Sequence, residues 1–176
     1  MLGGDVVKNR DLYLTKLIMY KDKSLIKVIT GLRRCGKSTL LYLYERYLLD
    51  QGINEKNIIR INFESFEFDQ ITTYRELHAY IKSKMIHSDD KTYILLDEVQ
   101  QVASWEKVVN SFLVDENVDI YITGSNAYLL SSELATLLSG RYVEIKMLPL
   151  SFKEYMAFTN EHNQDRKSTR LNSSHG

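Results

Sequence analysis

Apolar residues run along this chain in two alternating rhythms, short unbroken runs and a spaced repeat at i, i+3 and i+4. Leu14, Leu17 and Ile18 share one helical face within residues 11–20, which predicts a short amphipathic helix leading through a polar turn into a strand over 25–30. Leu40, Leu41, Tyr44, Tyr47 and Leu48 then follow helical spacing until Gly52 closes the element. A second strand is expected over 58–63. Tyr74, Leu77, Ile81 and Met85 return to the helical period, and Tyr93, Ile94, Leu95 and Leu96 form an unbroken run, the pattern of a strand buried on both faces of a parallel sheet. Trp105, Val108, Val109, Phe112 and Leu113 mark another helix face, followed by a strand over 119–123 and a helix near 128–138. Val143, Ile145 and Met147 alternate with charged neighbours, as a half-exposed edge strand does. Strand and helix alternate throughout, so the expected architecture is α/β: a three-layer sandwich around a five-stranded parallel sheet with right-handed crossovers. Beyond Pro149, Ser151 and Glu154 have the spacing of a capping box that opens a further helix.

Composition narrows this picture. A chain of 176 residues with 44% hydrophobic residues buries a full core without covalent staples. The expected organisation is a leading helix in 1–20, one core domain over 21–148 and the start of a further segment over 149–164. No apolar run approaches the ~20 residues of a membrane span, and the N-terminus lacks the apolar core of a signal peptide, so the expected location is the cytoplasm with no membrane partner. Cys35 is the single cysteine, and the four histidines lack zinc-site spacing. Basic and acidic residues both number 23, so charge gives no support for a nucleic-acid partner.

Residues 165–175, DRKSTRLNSSH, break the apolar periodicity and resemble a translated sequencing adapter. On that expectation the native frame ends near Gln164, and 165–176 stand outside the fold as an added tail would. Setting aside Asp165, Arg166, Lys167 and Arg170 makes the remainder faintly acidic.

Gly31-Leu32-Arg33-Arg34-Cys35-Gly36-Lys37-Ser38 satisfies G-x-x-x-x-G-K-[ST] between the first strand and its helix, the spacing and context of a phosphate-binding loop. Gly31 and Gly36 permit backbone angles closed to other residues, so successive N–H groups can wrap an anion. The helix beneath offers unpaired first-turn N–H groups and a positive dipole end. Lys37 adds a charge near the β- and γ-phosphates of ATP, Ser38 a hydroxyl for Mg²⁺, and Thr39 continues the first turn. Arg33 and Arg34 occupy free positions and read either as further phosphate or partner contacts or as solvated side chains. Cys35 is a candidate for oxidation sensitivity.

Asp97 and Glu98 end the most apolar strand. Beside a phosphate loop the first carboxylate holds Mg²⁺ and the second polarises the water that attacks the γ-phosphate. Ser125 and Asn126 follow the fourth strand, where polar residues face the crevice of an α/β sheet; they read either as groups that orient the water or as an N-cap for the next helix. Asn62, ending the second strand, is either a turn residue or a partner of Glu98. Arg141, after Gly140, is either a surface arginine or a charge that reaches a neighbouring subunit's γ-phosphate, the second making the protein a homo-oligomer.

Taken together, ITGLRRCGKSTLL, YILLDEVQ with Trp105 following, ITGSNAYLLSSELATLLSGRY and LPLSFKEY resemble a bacterial and archaeal family of AAA-type ATP-binding proteins, over about residues 11–158. The resemblance implies a P-loop NTPase (AAA+-like) fold with sheet order 5-1-4-3-2, and a C-terminal domain of unknown function after the ATPase domain. It implies that 31–39 form the phosphate loop, Asp97 and Glu98 the acidic motif, Ser125 and Asn126 the sensor segment, and Gly140 and Arg141 the GR step. Set against that family's pattern, the expectation is that the lid and C-terminal domain lie outside this chain. The expected function is ATP binding with Mg-dependent hydrolysis that drives or gates a conformational change in that domain. A non-hydrolysing ATP/ADP switch is the competing reading, with a small-molecule kinase behind it: a kinase has no need of Glu98 and would show an arginine-rich lid.

Overall fold

The computed structural model describes residues 3–129, 131–149, 160 and 163–168, with side chains from residue 11 onward. Helix α1 (Gly3–Met19) leads into strand β1 (Ile26–Gly31), followed by α2 (Lys37–Asp50), β2 (Ile58–Asn62), α3 (Tyr74–Lys84), β3 (Thr92–Asp97), α4 (Trp105–Asp115), β4 (Val118–Ser125), α5 (Ser131–Leu137) and β5 (Tyr142–Met147). The five strands form one sheet in the order β2-β3-β4-β1-β5, with every neighbouring pair parallel. Read from the opposite edge, this is the expected 5-1-4-3-2.

Because side chains alternate across a strand, each strand feeds two cores. Ile26 and Val28 of β1, Ile94 and Leu96 of β3, and Ile120 and Ile122 of β4 pack beneath α3, α4 and α5. Ile29, Leu95 and Tyr121 point the other way and pack with Leu17 of α1 and Leu40, Leu41, Tyr44 and Leu48 of α2. The central strands β1, β3 and β4 are buried along their whole length, whereas the edge strand β5 is half-buried over its first three residues.

Most differences from the expected elements lie at their ends. Helix α1 starts at Gly3, ahead of the expected 11, because residues before Leu14 lack the apolar spacing that periodicity reads. Single 3₁₀ turns at Glu55–Asn57, Phe66–Phe68 and Val99–Gln101 carry no period at all and were invisible to it. Helix α5 begins at Ser131 rather than near 128. The expected capping box at Ser151 and Glu154 lies outside the described residues. Residues 163–168 are helical and exposed.

One feature escaped the hydrophobic pattern. Lys27 and Asp119 sit inside otherwise apolar strands and form a fully buried ion pair at 2.5 Å between β1 and β4. Asp119 also accepts from Tyr121 Oη at 3.0 Å and from Asp22 N at 2.9 Å, while Lys27 Nζ donates to the Lys23 carbonyl at 2.6 Å. Each charge therefore has several partners, the condition under which a buried pair is tolerated. Burial nevertheless pulls Lys27 below the ordinary lysine range, opposed by Asp119.

Candidate functional site

Strand β1 ends at Gly31, whose backbone lies in register with Ser125 of β4 on one side and Met147 of β5 on the other. A Cβ there would stand 2.6 Å from Cys35 Sγ and 2.9 Å from the Met147 carbonyl, so the turn needs glycine for space. The chain then loops through Leu32, Arg33 and Arg34, all exposed, and Arg34 adopts φ +65°. Gly36 caps α2 with φ +99°, a conformation that disfavours side chains.

The N-terminus of α2 carries no side-chain cap and no acidic residue in its first turn. Helix α3 shows the contrast: Thr73 and Glu76 close a complete capping box. An uncapped helix end of this kind leaves N–H groups and a partial positive charge for an anion. Above it lies a cavity of about 370 Å³ lined by Arg33, Arg34, Gly36, Lys37, Ser38, Thr39, Glu64 and Glu98. Lys37 is 97% buried, turned back so that Nζ donates to the carbonyls of Gly31 at 3.2 Å and Leu32 at 2.9 Å. It also stands 3.8 Å from the Glu98 carboxylate.

Asp97 ends β3, and Glu98 follows it at the wall of this cavity. Asp97 is buried, and its Oδ1 accepts a 2.5 Å hydrogen bond from Thr123 Oγ1. The same hydroxyl accepts from Glu98 N at 2.9 Å. Glu98 stands in the left-handed region at φ +59°, and its Oε2 accepts from Gln100 Nε2 at 2.5 Å. The fold thus brings Lys37, Ser38, Thr39 and Glu98 to one cavity, with Asp97 one residue back from its wall.

The remaining candidates separate. Asn126 is exposed and donates its backbone N–H to the Gly31 carbonyl at 3.2 Å, which places it beside the loop. It begins a turn ahead of α5, so the N-cap alternative does not hold. Asn62 Oδ1 accepts from Glu64 N at 3.0 Å, making Asn62 a turn residue although β2 does lie beside β3. Arg33 reaches Glu64 at 3.9 Å from a largely exposed position. Arg141 lies at the start of β5, where its carbonyl accepts from Ile26 N at 2.9 Å. That is the end of the sheet opposite Gly31. For Cys35, burial pushes the thiol up, partly countered by the Lys37 charge, so the reactive thiolate is disfavoured.

Thr123 and Gln100 did not emerge from the sequence as site residues. A hint exists for Thr123, which shares the inward parity of Asp119 and Tyr121 in β4 and is a polar residue at a buried strand position. Gln100 has no such signal, since a glutamine after a strand is ordinary.

A glycine-bounded loop between β1 and α2 at the carboxyl edge of a parallel sheet defines an ATPase-like, P-loop nucleotide-binding domain. The chain belongs to the AAA domain family, whose pattern matches residues 23–156. It is 52% identical to an uncharacterised protein of Haemophilus influenzae over 93% of this chain and 41% of that protein. It is 40% identical to an uncharacterised protein of Methanocaldococcus jannaschii over 93% of this chain and 34% of that one. The chain therefore spans about two fifths or less of these relatives' lengths. Among solved structures it is similar in fold to a DNA polymerase III gamma subunit-related protein from Thermotoga maritima, with TM-score 0.57 and 14% identity over 81% of this chain and 47% of that one. The Aeropyrum pernix ORC2 protein, solved as ADPNP–ADP complexes, gives TM-score 0.52 and 14% identity over 92% of this chain and 51% of that one.

Proposed function

We propose that this chain binds Mg-ATP at the 31–39 loop and hydrolyses it, and that hydrolysis gates a conformational change in a domain beyond it. The observation that carries this reading is the single cavity lined by the uncapped start of α2, Lys37, Ser38 and Glu98. Gly36 through Thr39 present N–H groups to the phosphates, and Lys37 exchanges its contacts with the Gly31 and Leu32 carbonyls for the β- and γ-phosphates. The donor set suits Mg²⁺: Ser38 offers a hydroxyl and Asp97 one carboxylate, and this cation is commonly bound by one or two carboxylates together with phosphate oxygens and water. Bound there, it neutralises charge on the phosphate oxygens. Glu98, at the cavity wall, takes the proton of the attacking water, and Asn126, beside Gly31, helps orient that water.

Arg141 lies at the far end of the sheet from the loop, so its proposed role is toward the γ-phosphate of a neighbouring copy. Among the described residues no helix is long and apolar enough to cross a membrane, and the cytoplasm is the proposed location. The non-hydrolysing switch is the rival reading, and Glu98→Gln separates the two. Hydrolysis lost with Mg-ATP binding retained supports the enzyme; no turnover by the unsubstituted protein and its full-length form supports the switch.

A further inference from the structure

We infer that Gln100 is a positioning residue that aims the Glu98 carboxylate into the nucleotide cavity. This rests on the reading of Glu98 given above. Glu98 leaves β3 with a left-handed backbone, and the chain turns at once into the 3₁₀ segment Val99–Gln101. The turn brings Gln100 back onto the residue two before it, where Nε2 donates to Glu98 Oε2 at 2.5 Å. The other oxygen, Oε1, lies on the side of Lys37. One carboxylate oxygen is therefore held from behind by an amide, and the other is presented to the loop.

The remaining half of the amide is what makes the contact informative. Among the described residues, Gln100 Oε1 is buried without a hydrogen-bond partner. It lies against Gly124, where an added Cβ would stand 2.8 Å from it. Turning the amide over would set its carbonyl oxygen against the carboxylate, so the orientation follows from the Glu98 charge. An apolar side chain of similar length would fill the same space and remove the unpaired carbonyl, but it would also take the amide donor away from Glu98 Oε2. What the amide supplies is the direction of Glu98, and general-base chemistry depends on that direction.

The test is single-turnover hydrolysis of Mg-ATP, with protein in excess, by the full chain and by Gln100→Met, Glu98→Gln and the double variant. Nucleotide affinity and the thermal midpoint are measured on each. Gln100→Met is expected to slow hydrolysis about tenfold or more, as misplaced catalytic groups do, with ATP affinity unchanged and the thermal midpoint showing that the variant is folded. The double variant is expected to match Glu98→Gln, because Gln100 acts through Glu98. Gln100→Glu keeps the length and turns an oxygen toward Glu98; it is expected to slow hydrolysis too, and it serves if the Met variant does not fold. A folded Gln100 variant that hydrolyses like the parent, in a protein that Glu98→Gln inactivates, overturns this inference alone. Parental turnover in Glu98→Gln, or none in the parent, overturns it together with the function on which it rests.

Discussion

Thr123 Oγ1, on β4, donates to Asp97 Oδ1, at the end of β3, across 2.5 Å. Its lone pair takes the Glu98 N–H at 2.9 Å, so one hydroxyl ties both acidic residues to the neighbouring strand. Replacing it by valine keeps the shape and leaves two buried polar groups without a partner. Thr123→Val is expected to cost about 1–3 kcal/mol of stability and to weaken Mg-dependent nucleotide binding. Urea denaturation and a titration with and without Mg²⁺ check the two effects.

The buried pair of Lys27 and Asp119 makes a sharper stability prediction. Asp119→Ala strands the Lys27 ammonium in the core and is expected to cost about 3–5 kcal/mol. A Lys27→Met, Asp119→Leu double variant removes both charges and is expected to recover most of that loss. Denaturant midpoints of the three proteins decide it, and a double variant as unstable as Asp119→Ala contradicts the account.

Helix α3 supplies the pH dependence. Glu76 accepts from the backbone N–H groups of Thr72 and Thr73 at 2.8 and 2.9 Å, and these bonds hold its carboxyl below the usual glutamate range. A carboxylate lowered on folding stabilises above its unfolded pKa and loses that contribution as pH falls through the folded one. Stability should therefore drop on acidification from about pH 5 downward by more in the parent than in Glu76→Gln, which keeps a capping side chain without the charge. Thr73→Ala removes the cap itself and is expected to cost about 1 kcal/mol near neutral pH.

Much of the fold was legible because its signals are periodic. The run Tyr93 to Leu96 announced a strand covered on both faces, and β3 is buried from Thr92 to Asp97. The glycine spacing of the 31–36 turn was legible for a different reason: the turn needs glycine at fixed backbone positions, and Gly31 and Gly36 meet that need through crowding and φ respectively. Contacts between strands carry no such trace. The pairing of Thr123 with Asp97 depends on β4 lying beside β3, which composition does not encode. The pairing of Lys27 with Asp119 was closer to reach, since each is a lone charge in an apolar run and their signs are opposite.

Cys35 makes a chemical prediction. It is buried within the loop with its thiol pushed up, so an aromatic disulfide reagent should label native protein much more slowly than urea-unfolded protein. Fast native labelling would show a loop more open than this one.

The central claim is that the start of α2 binds nucleotide phosphates, and Lys37 tests it most directly. Lys37 is buried at the cavity wall and, among the described residues, holds loop carbonyls and the edge of Glu98. Its charge-assisted bonds to phosphate are worth about 1.5–3 kcal/mol each, which is roughly tenfold or more in affinity. The measurement is a titration of Mg-ATP into the parent and Lys37→Ala, with circular dichroism confirming that both are folded. The account predicts saturable binding by the parent and a loss of tenfold or more in the variant; equal affinity in a folded Lys37→Ala protein would contradict it.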